Sequence, residues 1–268
     1  MKRTLILLTI VLCTGFVFAG GAKEDVSGDA SLQYILDKGV FVLGLDDSFP
    51  PMGFRDENGD VAGFDIDLAR EVCKRMGVEL KMQPIDWDAK ILDLNSKDID
   101  VIWNGLTITD ERLEKIEFSK PYIANRQIVI VQAASGIDTR ADLAGMTVGI
   151  QLGSSADDAV NSDEVTVASL KELVKYQDNV QALMDLEVGR IDAVVVDEIL
   201  GRYYISKKEG VYTVASEDFA AEEYGIGFRK GEVAFVSEVD RILDEMVKDG
   251  TAEEISIKWF AEDILLPR

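Results

Sequence analysis

The chain is poor in the residues on which much enzyme and metal chemistry depends. Its 268 residues include no histidine, two cysteines and five prolines. Histidine is the commonest general base near neutral pH, and histidine with cysteine supplies most zinc ligands. This scarcity excludes most transition-metal sites and all histidine-based catalysis. We therefore expect no catalytic residue, no metal and no cofactor.

Positive charge is also scarce. There are 28 Lys and Arg residues against 50 Asp and Glu, and the formal net charge is −22. Such an acidic surface repels nucleic acids and anionic lipids, so we expect neither as a partner. The hydrophobic content of 47% and the length suffice for one large domain or two modest ones.

One long apolar run occurs, and it lies at the start of the chain. The run covers residues 5–18, follows the basic residues Lys2 and Arg3, and is followed by the small residue Ala19. This order is typical of a secretory signal peptide, which we predict over residues 1–19. The run is too short for a membrane span, and no second one follows. The protein is therefore expected outside the cytoplasm, in the periplasm or on the cell surface.

The two cysteines are expected in different parts of the protein, Cys13 in the signal peptide and Cys73 in the mature chain. Cys13 could direct lipoprotein processing, but Leu12 precedes it where such signals usually carry a small residue, so we do not expect lipid anchoring there. Cys73 would then be alone in the mature chain and is predicted to be a buried small hydrophobic residue. The polar segment 20–30 is predicted to be a flexible tether.

The segment Asp100–Arg112 is the most informative local pattern. Val101–Trp103 is a short apolar strand, while Thr109 and the acids after it are typical of a helix that begins near Asp110. Backbone N–H groups at such a junction favour an anion, and an arginine fork suits a carboxylate. The alternative is that Arg112 is a solvated residue of the first helical turn.

Strands and helices alternate along most of the chain. This alternation predicts an α/β fold with parallel pairing, in which ligands bind beyond the carboxyl ends of strands. The predicted strands are 40–45, 79–85, 101–103, 127–132 and 224–228, and the predicted helices are 66–76, 89–95, 179–188, 198–207 and 233–248.

Four separated motifs together resemble a known family. They are Asp46–Phe54, Gly63–Cys73, Asp100–Arg112 and Gly189–Asp197. Their order and spacing are similar to those of the extracytoplasmic solute-binding proteins of polar amino-acid ABC transporters, and the resemblance extends over residues 32–260.

The resemblance implies the two-lobed, type II periplasmic-binding-protein fold. In this fold two parallel or mixed sheets, flanked by helices, are joined by a two-strand hinge. Residues 31–130 and 223–268 are expected to form the first lobe, and residues 131–222 the second. The chain would cross between the lobes near Gln132 and near Glu222.

The resemblance also implies a ligand, a free L-amino acid, which carries a carboxylate and an ammonium. Burying both charges requires a partner for each. Arg112 is expected to bind the carboxylate, and the aspartate that matches Asp197 binds the ammonium in the family. Asp197 alternatively caps the helix that follows it. The expected partners are this amino acid and a membrane permease, with the protein itself a monomer.

The remaining predicted contacts come from both lobes. In the second lobe, Ser154 and Ser155 match a family position whose hydroxyls meet the ligand carboxylate, although both could simply cap a helix. In the first lobe, the expected contacts lie in one segment: Asn104, Gly105, Leu106 and Thr107.

A pocket for the ligand side chain is expected around Asp46, Phe49 and Trp87. The two aromatic residues follow predicted strands, although Trp87 could instead be a buried anchor. Asn104 replaces the small residue usual in the family, so it alters the pocket. Trp103 lies inside a strand and is assigned to the core.

Two acids at the start of the second motif are assigned a structural role. We predict that Asp65 is the N-cap of a helix and that Asp67 is a solvated acid of its first turn.

An enzyme on the same fold is the alternative function. Periplasmic dehydratases of the cyclohexadienyl or prephenate type share this fold, which cannot by itself decide between binding and catalysis.

Overall fold

Strands and helices alternate along the chain, as the sequence predicts. The computed structural model describes residues 28–268; the predicted signal peptide, Cys13 and residues 20–27 of the predicted tether lie outside this range. The helices are α1 Ser31–Lys38, α2 Phe64–Met76, α3 Lys90–Ser96, α4 Asp110–Lys115, α5 Ser155–Ser162, α6 Glu164–Ser169, α7 Asn179–Glu187, α8 Glu198–Lys207, α9 Val233–Lys248 and α10 Thr251–Phe260. The strands are β1 Val40–Leu45, β2 Ser48–Phe49, β3 Gly53–Arg55, β4 Val61–Ala62, β5 Glu79–Pro84, β6 Val101–Thr107, β7 Ile116–Phe118, β8 Ile123–Gln132, β9 Thr147–Gln151, β10 Glu172–Tyr176, β11 Ala193–Asp197, β12 Tyr212–Val214 and β13 Ala220–Arg229.

Two groups of parallel strands are joined by two long strands. The order across the sheet is β10-β9-β11-β8-β13-β6-β1-β5. The strands β5, β1 and β6 are parallel to one another, and so are β10, β9 and β11. Between these groups β8 and β13 pair antiparallel, with Gln127 opposite Ala220 and Ile123 opposite Tyr224. The α/β class is therefore confirmed, but the hydrogen bonds run continuously from one group to the other.

The two long strands contain both predicted lobe boundaries. The boundary at residues 130–131 falls within β8, and the one at residues 222–223 falls within β13. The strand β13 pairs with β6 of the first group, β8 pairs with β11 of the second group, and the two long strands pair with each other. Side chains of both groups can meet at this junction.

Amphipathic helices cover the sheet and form its core. The buried face of α9 carries Phe235, Val239 and Ile242, and α2 buries Ile66 and Cys73. Each of the buried Phe, Val and Ile side chains contributes about 1.5–3 kcal/mol when it is fully removed from water. Cys73 is buried, as predicted, and its burial raises the pKa of the thiol to about 12. Trp103 is also fully buried, as assigned.

The predicted capping role of Asp65 is wrong. Gly63 occupies the N-cap position of α2, with φ at 145°, and the side chain of Asp65 is completely buried. Its Oδ2 accepts a hydrogen bond from the Gly105 N–H at 2.8 Å, and its Oδ1 accepts one from the Tyr122 hydroxyl at 2.9 Å. Burial raises the pKa of Asp65 to about 7. The carboxyl group is thus hydrogen-bonded to the backbone of β6 at Gly105.

Asp67 is not a free, solvated acid. It pairs with Arg70 on its own helix at 3.0 Å and with Lys258 on α10 at 2.6 Å. It also accepts a hydrogen bond from the indole N–H of Trp259 at 2.8 Å. Asp67 therefore connects α2 to α10. None of the helices within residues 28–268 has the length and apolar character needed to cross a bilayer.

Candidate ligand-binding cleft

Arg112 lies at the junction between the two groups of strands. The helix α4 starts at the predicted residue, and the Thr109 hydroxyl accepts a hydrogen bond from the Arg112 N–H at 3.2 Å. The guanidinium donates to the carbonyl of Thr107 at 2.9 Å and to that of Gly153 at 3.3 Å. Only 5% of the residue is exposed, so the alternative of a solvated arginine is wrong. Burial lowers the pKa of Arg112, but nearby acids oppose the effect and an arginine stays charged.

Asp197 faces Arg112 from the second group of strands. It occupies the N-cap position of α8, yet its side chain caps no backbone N–H there. Its Oδ1 instead accepts hydrogen bonds from Asn125 at 2.6 Å, Gln127 at 3.0 Å and the Tyr224 hydroxyl at 2.7 Å. Burial, and then the neighbouring charge of Glu222, raise the pKa of Asp197 to about 7.

Glu222 brings a second carboxylate to the same place. Its Oε2 accepts hydrogen bonds from the Thr107 hydroxyl at 3.0 Å and from the Gln127 amide at 2.9 Å. The Asn125 amide reaches the same oxygen at 3.2 Å and the Ser155 hydroxyl at 3.3 Å. The donors therefore converge on Glu222 from both sides of the cleft. From the sequence this residue was predicted only as a crossing point of the chain.

The two serines of the second motif have different surroundings. The Ser154 hydroxyl caps α5 by accepting from the Asp157 N–H at 3.1 Å, and it donates to the Gln151 carbonyl at 2.8 Å. The Ser155 hydroxyl lies 3.0 Å from that of Thr107, across the cleft. Ser155 and Thr107 thus meet in the cleft, while the Ser154 hydroxyl is used in the helix cap.

A second polar contact crosses the cleft at Asp46. Its Oδ1 accepts from the Ser48 hydroxyl at 2.6 Å, and its Oδ2 accepts from the Gln151 amide at 2.7 Å. The side-chain Oε1 of Gln151 accepts from the side-chain Nδ2 of Asn179 at 2.9 Å. Burial is the largest cause of the raised pKa of Asp46. These residues form a polar group separate from the one around Asp197.

Phe49 and Tyr224 lie on either side of Gly105. A Cβ atom at Gly105 would lie 2.9 Å from the Phe49 ring and 3.2 Å from the Tyr224 ring, and its φ is 58°. Glycine is therefore required by both the space and the backbone conformation. Trp87 is buried in a cluster with Leu94 and other apolar residues, which favours the interpretation of a buried anchor.

The structure separates Leu106 from the other predicted contacts. Its side chain packs in the same apolar cluster as Trp87, and it approaches Gly227 on β13. The side chain of Asn104, in contrast, lies against Gly53, where a Cβ atom would approach its Nδ2 to 2.4 Å. Within residues 28–268 neither the Nδ2 nor the Oδ1 atom of Asn104 has a hydrogen-bond partner, although the residue is 1% exposed.

Lys90 is a buried cation that was not predicted from the sequence. Its ammonium group donates to the carbonyls of Trp87 at 2.9 Å and Gly153 at 2.8 Å, so it connects α3 to the loop before α5. It also lies 5.0 Å from the centre of the Trp87 ring. Burial, and then the neighbouring Arg112, lower the pKa of Lys90 to about 7.

The polar face of β8 was also missed, although the sequence contains a sign of it. Asn125 and Gln127 alternate with the exposed residues Ala124 and Arg126, so both lie on the buried face of the strand. A polar side chain at such a position requires a partner, which here is the pair of carboxylates on Asp197 and Glu222.

The arrangement separates opposite charges within one cleft. Arg112 supplies positive charge, while Asp197 and Glu222 supply negative charge. A small zwitterion would match this separation. Among the described residues, no three side chains of the metal-binding types cluster to form a metal site.

Comparison with known proteins gives the family of the chain. Residues 41–262 match the model of the bacterial extracellular solute-binding proteins, family 3. The L-cystine-binding protein TcyJ of Escherichia coli (strain K12) is 34% identical over 248 residues, which are 92% of each chain.

Two solved structures extend the comparison. An ABC uptake transporter substrate-binding protein from Streptococcus pneumoniae, with bound histidine, superposes with a TM-score of 0.86 at 37% identity, covering 90% of this chain and 100% of that one. The ancestral amino-acid-binding protein AncCDT-1, described as a precursor of cyclohexadienyl dehydratase, gives a TM-score of 0.79 at 32% identity, covering 86% and 99%. The fold is therefore that of the type II periplasmic binding proteins, and the chain belongs to family 3 of the bacterial extracellular solute-binding proteins.

Proposed function

We propose that the protein binds a free L-amino acid in the cleft and delivers it to an ABC-type membrane permease. The observation that carries this proposal is the separation of Arg112 from Asp197 and Glu222 in one buried cleft. An amino acid is the smallest common metabolite with a matching pair of charges. The binding functions named for the relatives support the same class of ligand.

The proposed contacts follow from the positions of the polar groups. Arg112 binds the α-carboxylate, helped by the hydroxyls of Thr107 and Ser155. Asp197 binds the α-ammonium together with the carbonyl of Gly105. Ser154 acts indirectly, because its hydroxyl holds the start of α5 in place.

The ligand side chain points toward a pocket that contains Asp46, Phe49 and Asn104. Asn104 offers both a donor and an acceptor that have no partner among residues 28–268. This feature favours a side chain that can both donate and accept hydrogen bonds.

Binding is coupled to closure of two lobes, residues 31–130 with 223–268 and residues 131–222. The proposed contacts come from both lobes, so neither can neutralise the zwitterion alone. The strands β8 and β13 connect the lobes and provide the hinge, a type of motion known for periplasmic binding proteins. A ligand stabilises the closed form only through its contacts with both lobes. A monomer exported by its signal peptide then presents the closed form to the permease.

The function is binding without turnover. A dehydratase needs an acid beside the reacting carbon, and Asp197, with its pKa raised to about 7, is the candidate for that acid. However, Asp197 Oδ1 accepts three hydrogen bonds, an arrangement that suits an ionised carboxylate. Incubation with prephenate should therefore leave it unchanged, and measurable turnover would reverse this proposal.

A thermal-shift screen of the twenty L-amino acids, followed by calorimetry, tests the binding function. The Asp197→Asn variant should lose more affinity for the best amino acid than for its deaminated analogue. Equal losses for both ligands would contradict the role of Asp197 at the ammonium.

Small-angle scattering tests closure. The best amino acid should decrease the radius of gyration of an open, free protein, whereas its deaminated analogue should not. Superimposable curves with and without the amino acid, for a free protein shown to be open, would exclude the hinge mechanism.

A further inference from the structure

We propose that Glu222 is the second carboxylate of the ammonium subsite, and that with Asp197 it makes the cleft selective for a primary ammonium. This inference rests on the proposed function, because it concerns the amino group of the bound amino acid.

The two carboxylates share the same donors. The Asn125 amide nitrogen lies 2.6 Å from Asp197 Oδ1 and 3.2 Å from Glu222 Oε2. The Gln127 amide nitrogen lies 3.0 Å and 2.9 Å from the same two atoms. Each side-chain amide therefore donates to both carboxylates, which lie close together. A cation that approaches Asp197 also approaches Glu222.

Acceptors outnumber donors at this place. Among residues 28–268 the donors reach only Oδ1 of Asp197 and only Oε2 of Glu222, so each carboxylate keeps one oxygen for a further donor. The buried side-chain oxygens of Asn125 (Oδ1) and Gln127 (Oε1) also have no partner within the described part of the chain. Two neighbouring carboxylates that each have a free oxygen favour a cationic ligand group that is rich in N–H bonds.

A primary ammonium satisfies this requirement. Its three N–H bonds match one oxygen of Asp197, one oxygen of Glu222 and the carbonyl of Gly105. A secondary ammonium has two N–H bonds and leaves one of these acceptors unpaired. Two neighbouring carboxylates also repel each other, and a cation between them removes the repulsion.

Glu222 has an alternative role, as a competitor of the ligand carboxylate. The hydroxyls of Thr107 and Ser155, which the proposed function assigns to the ligand carboxylate, donate to Glu222 at 3.0 Å and 3.3 Å. Glu222 could thus take the place of the ligand carboxylate and compete with it. The shared amides of Asn125 and Gln127 favour the ammonium subsite, because competition for the hydroxyls does not require a partnership with Asp197.

The test compares Glu222→Gln with the matched control Glu223→Gln. Glu223 is the next residue along β13 and is exposed, whereas Glu222 faces the cleft. The probes are those of the twenty L-amino acids that bind the wild-type protein in a thermal-shift screen, each also measured by calorimetry as its Nα-methyl derivative.

We expect E222Q to weaken binding of the primary amine by about tenfold or more, because it removes one partner of the ammonium. The preference for the primary over the Nα-methyl ligand should decrease in E222Q and stay unchanged in E223Q. Unchanged or tighter binding by E222Q would overturn the proposal, and tighter binding would establish competition instead.

A pH profile separates this role from a purely structural one. Asp197 is surrounded by Glu222 and Tyr224 on β13, Arg112 on α4, and the neutral amides of β8. Removing the charge of Glu222 should lower the pKa of Asp197, so the loss of affinity in acid should begin at lower pH in E222Q. The same profile in both proteins would contradict the proposal. If no amino acid binds the wild-type protein, the proposed function itself is wrong.

Discussion

Replacing Arg112 with alanine removes the only cation that the proposed site directs at the ligand carboxylate. Arg112 is buried, and its guanidinium also donates to the carbonyls of Thr107 and Gly153. The ligand carboxylate would be buried without its partner, which costs about 2–5 kcal/mol. This cost corresponds to an affinity about thirty-fold to several thousand-fold lower.

A loss of affinity in R112A can be assigned to the ligand carboxylate, because a second contact to Gly153 remains and control variants exist. Lys90 also donates to the Gly153 carbonyl, at 2.8 Å, so this contact across the cleft persists in R112A. Arg112→Lys keeps the charge but loses the two-pronged geometry, and it should bind with intermediate affinity. Arg70→Ala is the matched control, because the side chain of Arg70 is 48% exposed and pairs with Asp67 on the surface of α2.

Calorimetry with the amino acid that gives the largest thermal shift provides the affinities. Circular dichroism and the melting temperature show whether each variant is folded. A folded R112A protein with the affinity of the wild type would refute the assignment of Arg112 to the carboxylate. A loss of equal size in R70A would show that the effect is not specific to the cleft.

Two further predictions follow from buried charged groups outside the proposed contacts. Lys90→Met removes the shorter of the two hydrogen bonds to the Gly153 carbonyl and leaves the one from Arg112. Stopped-flow kinetics should therefore show dissociation about two- to tenfold faster at an unchanged association rate. An equal effect in the exposed control Lys97→Met would contradict this prediction. Burial raises the pKa of Asp65 to about 7, so its proton stabilises the folded state fully below about pH 4, and this contribution is lost as the pH rises to about 7. In urea unfolding from pH 4.5 to 7.5, the free energy of unfolding of the wild type should decrease by up to about 1.4 kcal/mol per pH unit relative to Asp65→Asn. If the two proteins show parallel pH profiles, protonation of Asp65 does not stabilise the fold.

Some elements were predicted with their correct bounds from the sequence. The strand Val40–Leu45 and the helices Glu198–Lys207 and Val233–Lys248 have the predicted bounds. In Val233–Lys248 the spacing of the apolar residues indicates the buried face. The helices α1, α6 and α10 and the strand β10 were not predicted. Most residues of these elements are exposed or half-buried.

The candidate site was predicted less completely than the fold. Arg112 and Asp197 could be proposed because each ends or follows a recognisable local pattern. The sequence alone left open whether Asp197 capped α8, and the structure turns its side chain toward Asn125, Gln127 and Tyr224 instead.

The sequence by itself determined the alternation of strands and helices, the burial of the apolar helix faces and the start of α4 at Asp110. Each depends on residues close together in the chain. Only the tertiary structure decided that Asp65 supports Gly105 and that Glu222 joins Asp197. The physical reason is that the protonation and partners of a buried carboxylate depend on its spatial neighbours, and here the pairing of β8 with β13 brings those neighbours together.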